Sequence, residues 1–549
     1  AEGLADAVTN KLANLAGLRV IDRASVLALG AQADDPRAIG TELGARFALR
    51  ASIRWATGAD GQARVQVTPV LVRTRDGTTR WAGAPIEASP TDPFAMQAVM
   101  AGQVADALDV AIAAVERERL ERPSTRDPEA WALYRRAAAR AQLAERRYAL
   151  DRTDAAEIAA DLDVALARDG DFLEAAALRG SLLVLASELG YRAPAARDSG
   201  LAVLRAVHAR DPGIPGVAAT LVGEALRRGR PDEAQRLVDV AIAARPSNGR
   251  LQLARGAVAV AMHDTTALRD ALRRTIALSP RDVGTLVDVA GRSILSLRDS
   301  AFGNEVLRRA VRIAPDDPDV QMGRLLAASA TGDTAAMEAA WRGYRAAGGP
   351  PVPHQLGLLR HGSAAMRREA AAVARSGTTG RTPLDTIIFL EERMGLRASL
   401  GDAAGARADA EAALAIEARI DTTTLMFVER VKDRYMRPRL LATAGRDGAA
   451  RALLDSLARP AWLRDTVRLA PTDLANGTCA VASAWALLRD TAAMYASLRD
   501  CLGRPSGRWP AWVRREPQFA PYLREARMVR LLAAFEPRPG PAVPEAVRR

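Results

Sequence analysis

The rarest reactive side chains of this sequence are four histidines and two cysteines, and their spacing limits the chemistry open to them. His354 and His361 stand seven apart and could share a helix face, yet Gly357 and Gly362 interrupt it and no His-Glu-x-x-His pattern occurs. Those two, with His208 and His263, read as surface or packing residues. Cys479 and Cys501 belong to no Cys-x-x-Cys or Cys/His cluster, which argues against a cysteine-held metal. Their separation of 22 residues permits a disulfide across two facing helices of one hairpin; in a reducing compartment they would be small buried apolar residues. The adjacent carboxylates of Glu391 and Glu392 diverge on a helix and read as a solvated face. Lys11 and Lys432 follow Asn10 and Val431, so neither completes a phosphate-binding loop or a kinase lysine strand. Nucleophile elbows and dinucleotide-type glycine loops are also absent from the sequence, and Asn476-Gly477-Thr478 fits a glycosylation sequon that arises often by chance. The sequence therefore predicts no catalytic residue, no metal ligand and no cofactor.

What remains is a scaffold for holding things. The chain has 549 residues, too many for one ordinary core, with 49% hydrophobic and 26% charged residues, as in globular proteins rather than disordered ones. Aromatics are only 4%, and alanine and leucine dominate, which favours helices packed through small side chains. No apolar run is long enough to span a membrane. The net charge is +12, and Lys11 and Lys432 are the only lysines beside 75 arginines, a bias that a GC-rich genome explains. From Arg430 onward the balance is 22 basic to 11 acidic residues; without a run of like charges or a base-reading motif, this reads as a solvated surface, and nucleic acid is not an expected partner.

Residues 1–115 have a mixed rhythm. Leu4, Val8, Leu12 and Leu15 recur at helical spacing before Gly17, followed by a strand-like run, Leu18-Arg19-Val20-Ile21. Asp35-Pro36 opens a helix ended by Gly44. Three strands are predicted at Phe47 to Trp55, Ala63 to Arg73 and Thr78 to Ile86, separated by Asp60-Gly61 and Asp76-Gly77, strong turn signals because glycine accepts positive φ. A helix from Pro93 to Val115 closes the unit. The expected fold is a small α+β domain, an antiparallel meander covered by helices. Its residues Gly3-Leu4, Leu18-Arg19-Val20-Ile21 with Arg23 and Ser25, Ile39-Gly40, Leu43-Gly44, Ser52-Ile53, Asp76-Gly77, Trp81, Phe94 and Gln97 resemble the TolB-like amino-terminal domain found beside tetratricopeptide repeats in bacterial signalling proteins. Ala51 stands where that family usually has glycine, and the family's first strand, ahead of Gly3-Leu4, has no counterpart, so a sheet edge open to pairing is expected. Ala1 reads as the start of a mature or cut chain, with a lost upstream anchor compatible with the family.

After a charged connector, 116–126, the pattern is helical. Pro212, Pro246, Pro280 and Pro315 recur at intervals of 34, 34 and 35. Eight residues before each stand Leu204, Val238, Leu272 and Leu307; five before, Val207, Ala241, Thr275 and Ala310; twelve before, Gly200, Ala234, Leu268 and Gly303. The pattern resembles the second helix of the tetratricopeptide (TPR) repeat with its closing proline. The resemblance implies an all-α superhelical solenoid, because one hairpin cannot bury its own apolar face and must stack on the next. Repeats are expected over 127–347 and 382–500, with a Gly/Pro-rich irregular break at 348–381 and a Trp/Pro-rich cap and tail at 501–549.

The function expected from this organisation is non-catalytic: a scaffold, the sensory or adaptor region of a bacterial signalling or envelope protein, holding a protein or peptide in the solenoid groove. Arg255, Arg292 and Arg324 are the sparse charges among the groove-lining first helices, and Trp509 and Trp512 are candidate partner anchors if they are not simply part of the cap. The alternative is a structural subunit that self-associates or joins a larger surface complex. The family resemblance and the cysteine pair point outside the cytoplasm.

Overall fold

The computed structural model describes residues 8–57, 63–88, 93–110, 112, 116–117, 124–146, 150–214, 216–349, 355–376, 383–420, 427–457, 471–504 and 509–536. They divide into two compact units, Ala1–Glu224 with Asp232–Arg255 and Arg273–Asp282, and Ala225–Pro231 with Gly256–Leu272 and Val283–Arg549. A small antiparallel sheet lies near the start of the chain, and helical hairpins make up most of the described residues after it, as the periodicities predict.

In the first unit the sheet comprises β1 (Phe47–Thr57), β2 (Ala63–Arg73), β3 (Thr79–Ala82) and β4 (Ile86–Ala88). β1 pairs with β2 in a continuous register that sets Ile53 opposite Val67. The strand predicted from Thr78 to Ile86 is two strands. β3 pairs with Val70 to Val72 and β4 with Val65 to Val67, and Gly83 between them donates its N–H to the Pro69 carbonyl at 2.8 Å. Val67 and Ile86 face Met100 and Val104 of helix Pro93–Ala107, and Leu12 and Leu15 complete this core. That helix stops at Ala107, short of the predicted Val115, where the chain turns through Asp109 at φ 56°.

The strand-like run Leu18 to Ile21 joins no sheet among the described residues. Leu18 and Val20 of the run, and Asp22 just after it, instead bond to the repeats through their backbone groups. The Ser247 hydroxyl donates to the Leu18 carbonyl at 2.6 Å and accepts from the Val20 N–H at 3.1 Å, and the Asp22 N–H donates to the Leu278 carbonyl at 3.1 Å. Arg281 adds an N–H to Ser25 Oγ at 3.0 Å and a guanidinium contact to Glu42 at 2.6 Å, and Arg245 reaches Asn10. Ser247 and Arg281 each directly follow one of the periodic prolines, so the turns that end the repeat helices also dock the sheet domain.

Each hairpin follows one plan. Helices Pro194–Arg210, Pro231–Ala244, Thr265–Leu278 and Ser300–Ile313 each end two residues before one of the four periodic prolines. All twelve positions read from the period are buried. The second helices also carry a recurrent start signal: Asp264, Asp299, Asp333, Asp402 and Asp490 each accept the backbone N–H three residues on. Within 348–381, where an irregular break is expected, helices Gln355–Leu359 and Ala364–Ser376 form another short hairpin. Gly357 lies inside the first of these helices and Gly362 between the two, while the other glycines and all the prolines of this stretch precede or follow them.

A side chain at Gly200 would place its Cβ 2.6 Å from the Gly180 carbonyl oxygen of the facing helix, a backbone atom that cannot step aside. Gly200→Val should lower stability by about 1–3 kcal/mol in urea unfolding. Burial raises the Asp22 carboxyl above its ordinary range, against the hydrogen bonds from Ser279 and Ser25, and nearby Asp282 adds to the rise. The folded form therefore favours the protonated acid, a contribution fully present below the unfolded value and lost as pH rises through the folded one. Asp22→Asn, which keeps the helix cap, should raise the melting temperature at pH 7, with the gain shrinking as pH falls towards 4.

Candidate functional site

The strongest concentration of buried charge lies in the second unit, on the first helices of its hairpins. Arg360 and His361 follow helix Gln355–Leu359, Glu391 and Glu392 lie on Pro383–Ser399, and Arg439 on Phe427–Thr443. Against them runs the segment from Trp509 to Tyr522, which forms a short helix, Pro510–Val513, and a 3-10 turn, Pro517–Tyr522. Glu516, between the two, is 4% exposed.

Glu516 is held on all sides. Arg360, 3% exposed, donates to its Oε1 at 2.7 Å, and His361 Nε2 lies 3.1 Å from the same oxygen. Gln518 donates to Oε2 at 2.9 Å, and the Arg439 guanidinium stands 3.8 Å away. Arg439 donates to Glu391 at 2.5 Å, and Arg360 also faces Glu392 at 3.1 Å. Burial alone would pull the Arg360 guanidinium down; the carboxylates of Glu392, Glu516 and Glu391 outweigh it and hold it above its ordinary range. The expectation that Glu391 and Glu392 form a solvated face is thus corrected. Their carboxylates do diverge, but each meets an arginine brought by another helix.

The aromatic end of the segment is seated just as firmly. Trp509, 1% exposed, packs on Ile294 and Ala330, with the Arg298 guanidinium 5.1 Å from its ring centroid. Trp512 donates its indole N–H to the Ser329 carbonyl at 2.9 Å and stacks on His361 with ring centroids 5.6 Å apart. Arg515 donates to the carbonyls of Gly332, at 2.9 Å, and His361. Gly332 has φ 78° and comes so near the segment that a Cβ would stand 2.9 Å from that of Ala511, so this position requires glycine twice over.

These contacts decide what the site can do. A histidine beside a carboxylate can serve general acid–base chemistry when a substrate can reach it and the carboxylate is free to take or give a proton. His361 is 2% exposed under Trp512, and Glu516 is committed to arginine, so the pair works as a lock. Among the described residues no group of three metal-ligating side chains assembles.

Of the residues singled out from the sequence, Trp509 and Trp512 are brought together on the first-helix layer of this unit. Trp509 has no face left for a partner, so an outward anchor is corrected there to the cap. Arg292 is half-buried on Val283–Leu295; burial lowers its guanidinium, and Asp288 opposes the shift. Arg324 is half-buried on Pro318–Thr331 and donates to Gln321 at 3.1 Å, and Arg255 is half-buried on Gly249–Ala261 in the first unit. Cys479 and Cys501 are disulfide-bonded across helices Pro471–Leu487 and Thr491–Gly503, the hairpin from which the segment departs. His354 lies outside the described residues. Sequence reasoning missed Arg360, Arg439 and Glu516; the only signal for them was the recurrence of arginine with glutamate, as in Glu391-Glu392-Arg393 and Arg514-Arg515-Glu516.

No family model matches the chain. It is 31% identical over 133 residues to a protein of Rhizobium meliloti (strain 1021) described as putative adenylate cyclase 3; the match spans 24% of this chain and 22% of that protein, so the chain covers about a fifth of its relative's length. Among solved structures it is similar to the crystal structure of the APC/C hetero-tetramer Cut9-Hcn1, at 13% identity and a TM-score of 0.35, over 80% of this chain and 82% of that one. The helical-hairpin architecture stands on the periodic buried positions and the paired helices themselves.

Breaking a buried ion pair from one side leaves an uncompensated charge, whereas an exposed pair contributes little. Glu516→Gln should therefore lower stability by about 3 kcal/mol in guanidinium unfolding followed by tryptophan fluorescence. Glu536→Gln, which breaks only the exposed contact with Arg514, should cost less than about 0.5 kcal/mol.

Proposed function

We propose that this chain is a non-catalytic scaffold that holds a protein partner on the first helices of its repeats. One observation carries the reading. In the second unit those helices already seat another segment of the chain, Trp509 to Tyr522, through a buried indole, an indole-to-carbonyl bond, arginine-to-carbonyl bonds and a buried carboxylate. This is the chemistry by which helical repeats hold peptides. Here the chain itself fills that layer. The partner-facing repeats are then those of the first unit, where Leu143 and Leu185 stand exposed on first helices Pro128–Arg146 and Leu173–Glu188.

The sheet domain is TolB-like in this reading, and the chain is a sensory or adaptor region of a bacterial signalling or envelope protein. The likeness to a protein described as a putative adenylate cyclase supports a place beside signalling enzymes, and the disulfide supports an oxidising, extracytoplasmic location. A second reading, self-assembly, draws on β1, whose outer edge pairs with no strand among the described residues.

Cross-linked pull-down from the source cell with the full chain tests both. A specific protein partner whose recovery falls at least tenfold in Leu143→Glu/Leu185→Glu supports the scaffold. Cross-links only between copies of the chain favour self-assembly, and recovery that ignores the double substitution sinks the assignment to the first unit.

A further inference from the structure

A cavity of about 230 Å³ opens in the first unit between helix Arg152–Arg168, helix Leu173–Glu188 and the turn at Tyr191 and Arg192. Its floor is apolar, made by Ala155, Ala159, Leu182 and Ala186, all of them buried. Its walls are cationic, since Arg152, Arg179 and Arg192 line it and no carboxylate does.

The three cations are not equivalent. Arg179 is fixed by Asp163, to which it donates from Nε at 2.7 Å and Nη2 at 3.3 Å, leaving further N–H groups unused by that pair. Arg152 lies over the Tyr191 ring at 5.5 Å from its centroid, while the Tyr191 hydroxyl is spent on the Leu150 carbonyl at 3.0 Å. Tyr191 thus offers the cavity a ring edge and a positioned guanidinium rather than a donor. Arg192 is exposed at the rim. Two of the three guanidiniums are held in place before any ligand arrives, which removes part of the ordering cost of binding.

We propose that this cavity binds a monocarboxylate carried on a compact apolar body. The floor takes the apolar part, and the planar guanidinium forks take the carboxylate. The volume is below the roughly 300–1,000 Å³ of sites for nucleotides and drug-sized cofactors, and suits a group no larger than one big side chain. An inorganic phosphate would leave the floor unfilled. The acid can be a free short branched acid or the last residue of an apolar chain terminus, which share this chemistry. The proposal is independent of the partner reading above.

Calorimetry on the full chain with 4-methylpentanoate tests it, against 4-methylpentanamide and inorganic phosphate. Saturable binding of the acid, at least tenfold tighter than the amide and weakened at least tenfold by Arg152→Gln or Arg192→Gln with an unchanged melting temperature, is the expected result. Ala156→Leu, at an exposed lining position, should block the acid without touching a charge. A leucine-ending peptide with a free or amidated terminus separates the two sources: tighter binding of the free-ended peptide than of 4-methylpentanoate assigns a chain terminus, and the reverse assigns the free acid. No saturable heat from either acid, equal binding of the amide, or competition by phosphate would overturn the proposal.

Discussion

A carboxylate that is almost wholly removed from water must be compensated or it will not stay charged, and Glu516 is such a group. Its compensation comes from Arg360, Arg439, Gln518 and His361, which belong to two separate places in the repeats and to the segment itself. Because Arg360 and Arg439 also serve Glu392 and Glu391, the charges form one connected set. Removing any one member leaves others stranded. The set therefore fixes which helices must be present, and at what distance, for the terminal segment to dock. Trp509 and Trp512 add apolar burial and stacking, but the ionic set provides the register, since a one-residue slip would carry Glu516 away from both guanidiniums.

The first unit solves a similar problem with weaker parts. The sheet domain is tied to the repeats by backbone groups of Leu18, Val20 and Asp22 and by Ser247, Leu278 and Arg281 at the ends of repeat helices. Neutral hydrogen bonds of this kind contribute about 1 kcal/mol each, less than a buried charge network puts at stake. The turns that close successive repeats are spaced by the repeat itself. A short extended run can thus bond to two of them in succession, as Leu18 to Asp22 does with the turns after helices Pro231–Ala244 and Thr265–Leu278.

The periodic proline, the alternation in β2 and the turn at Asp76-Gly77 were legible in the sequence because each reports a local rule: a helix stop, a two-sided strand, a positive φ. Gly77 does adopt φ 77°. The run Leu18 to Ile21 misled for an equally physical reason. Its β-branched, apolar residues suit any extended chain with buried neighbours, and nothing in them says that the neighbours are helix ends rather than strands. Glu391 and Glu392 look solvated because adjacent charges usually are. Their burial depends on Arg360 and Arg439, 32 and 48 residues distant from the carboxylates they meet, and such pairing has no local signature. The recurrence of aspartate could have been read, since Asp264, Asp299 and Asp333 repeat the proline spacing within one residue.

The near-exclusive use of arginine has structural consequences whatever its genomic origin. A lysine ammonium is a compact, strongly hydrated charge, whereas a guanidinium is flat, weakly hydrated and multiply donating. Arg360 can reach Glu516 and Glu392 at once, Arg298 and Arg152 can lie on rings, and Arg515 can bond two carbonyls, none of which an ammonium does as well. The same side chain therefore serves as buried counter-ion, as aromatic cover and as cavity wall. What separates these uses is the neighbour: where glutamates are packed beside it the guanidinium is consumed within the fold, whereas at the cavity of the first unit Arg179 is only partly engaged by Asp163 and Arg152 lies on the Tyr191 ring.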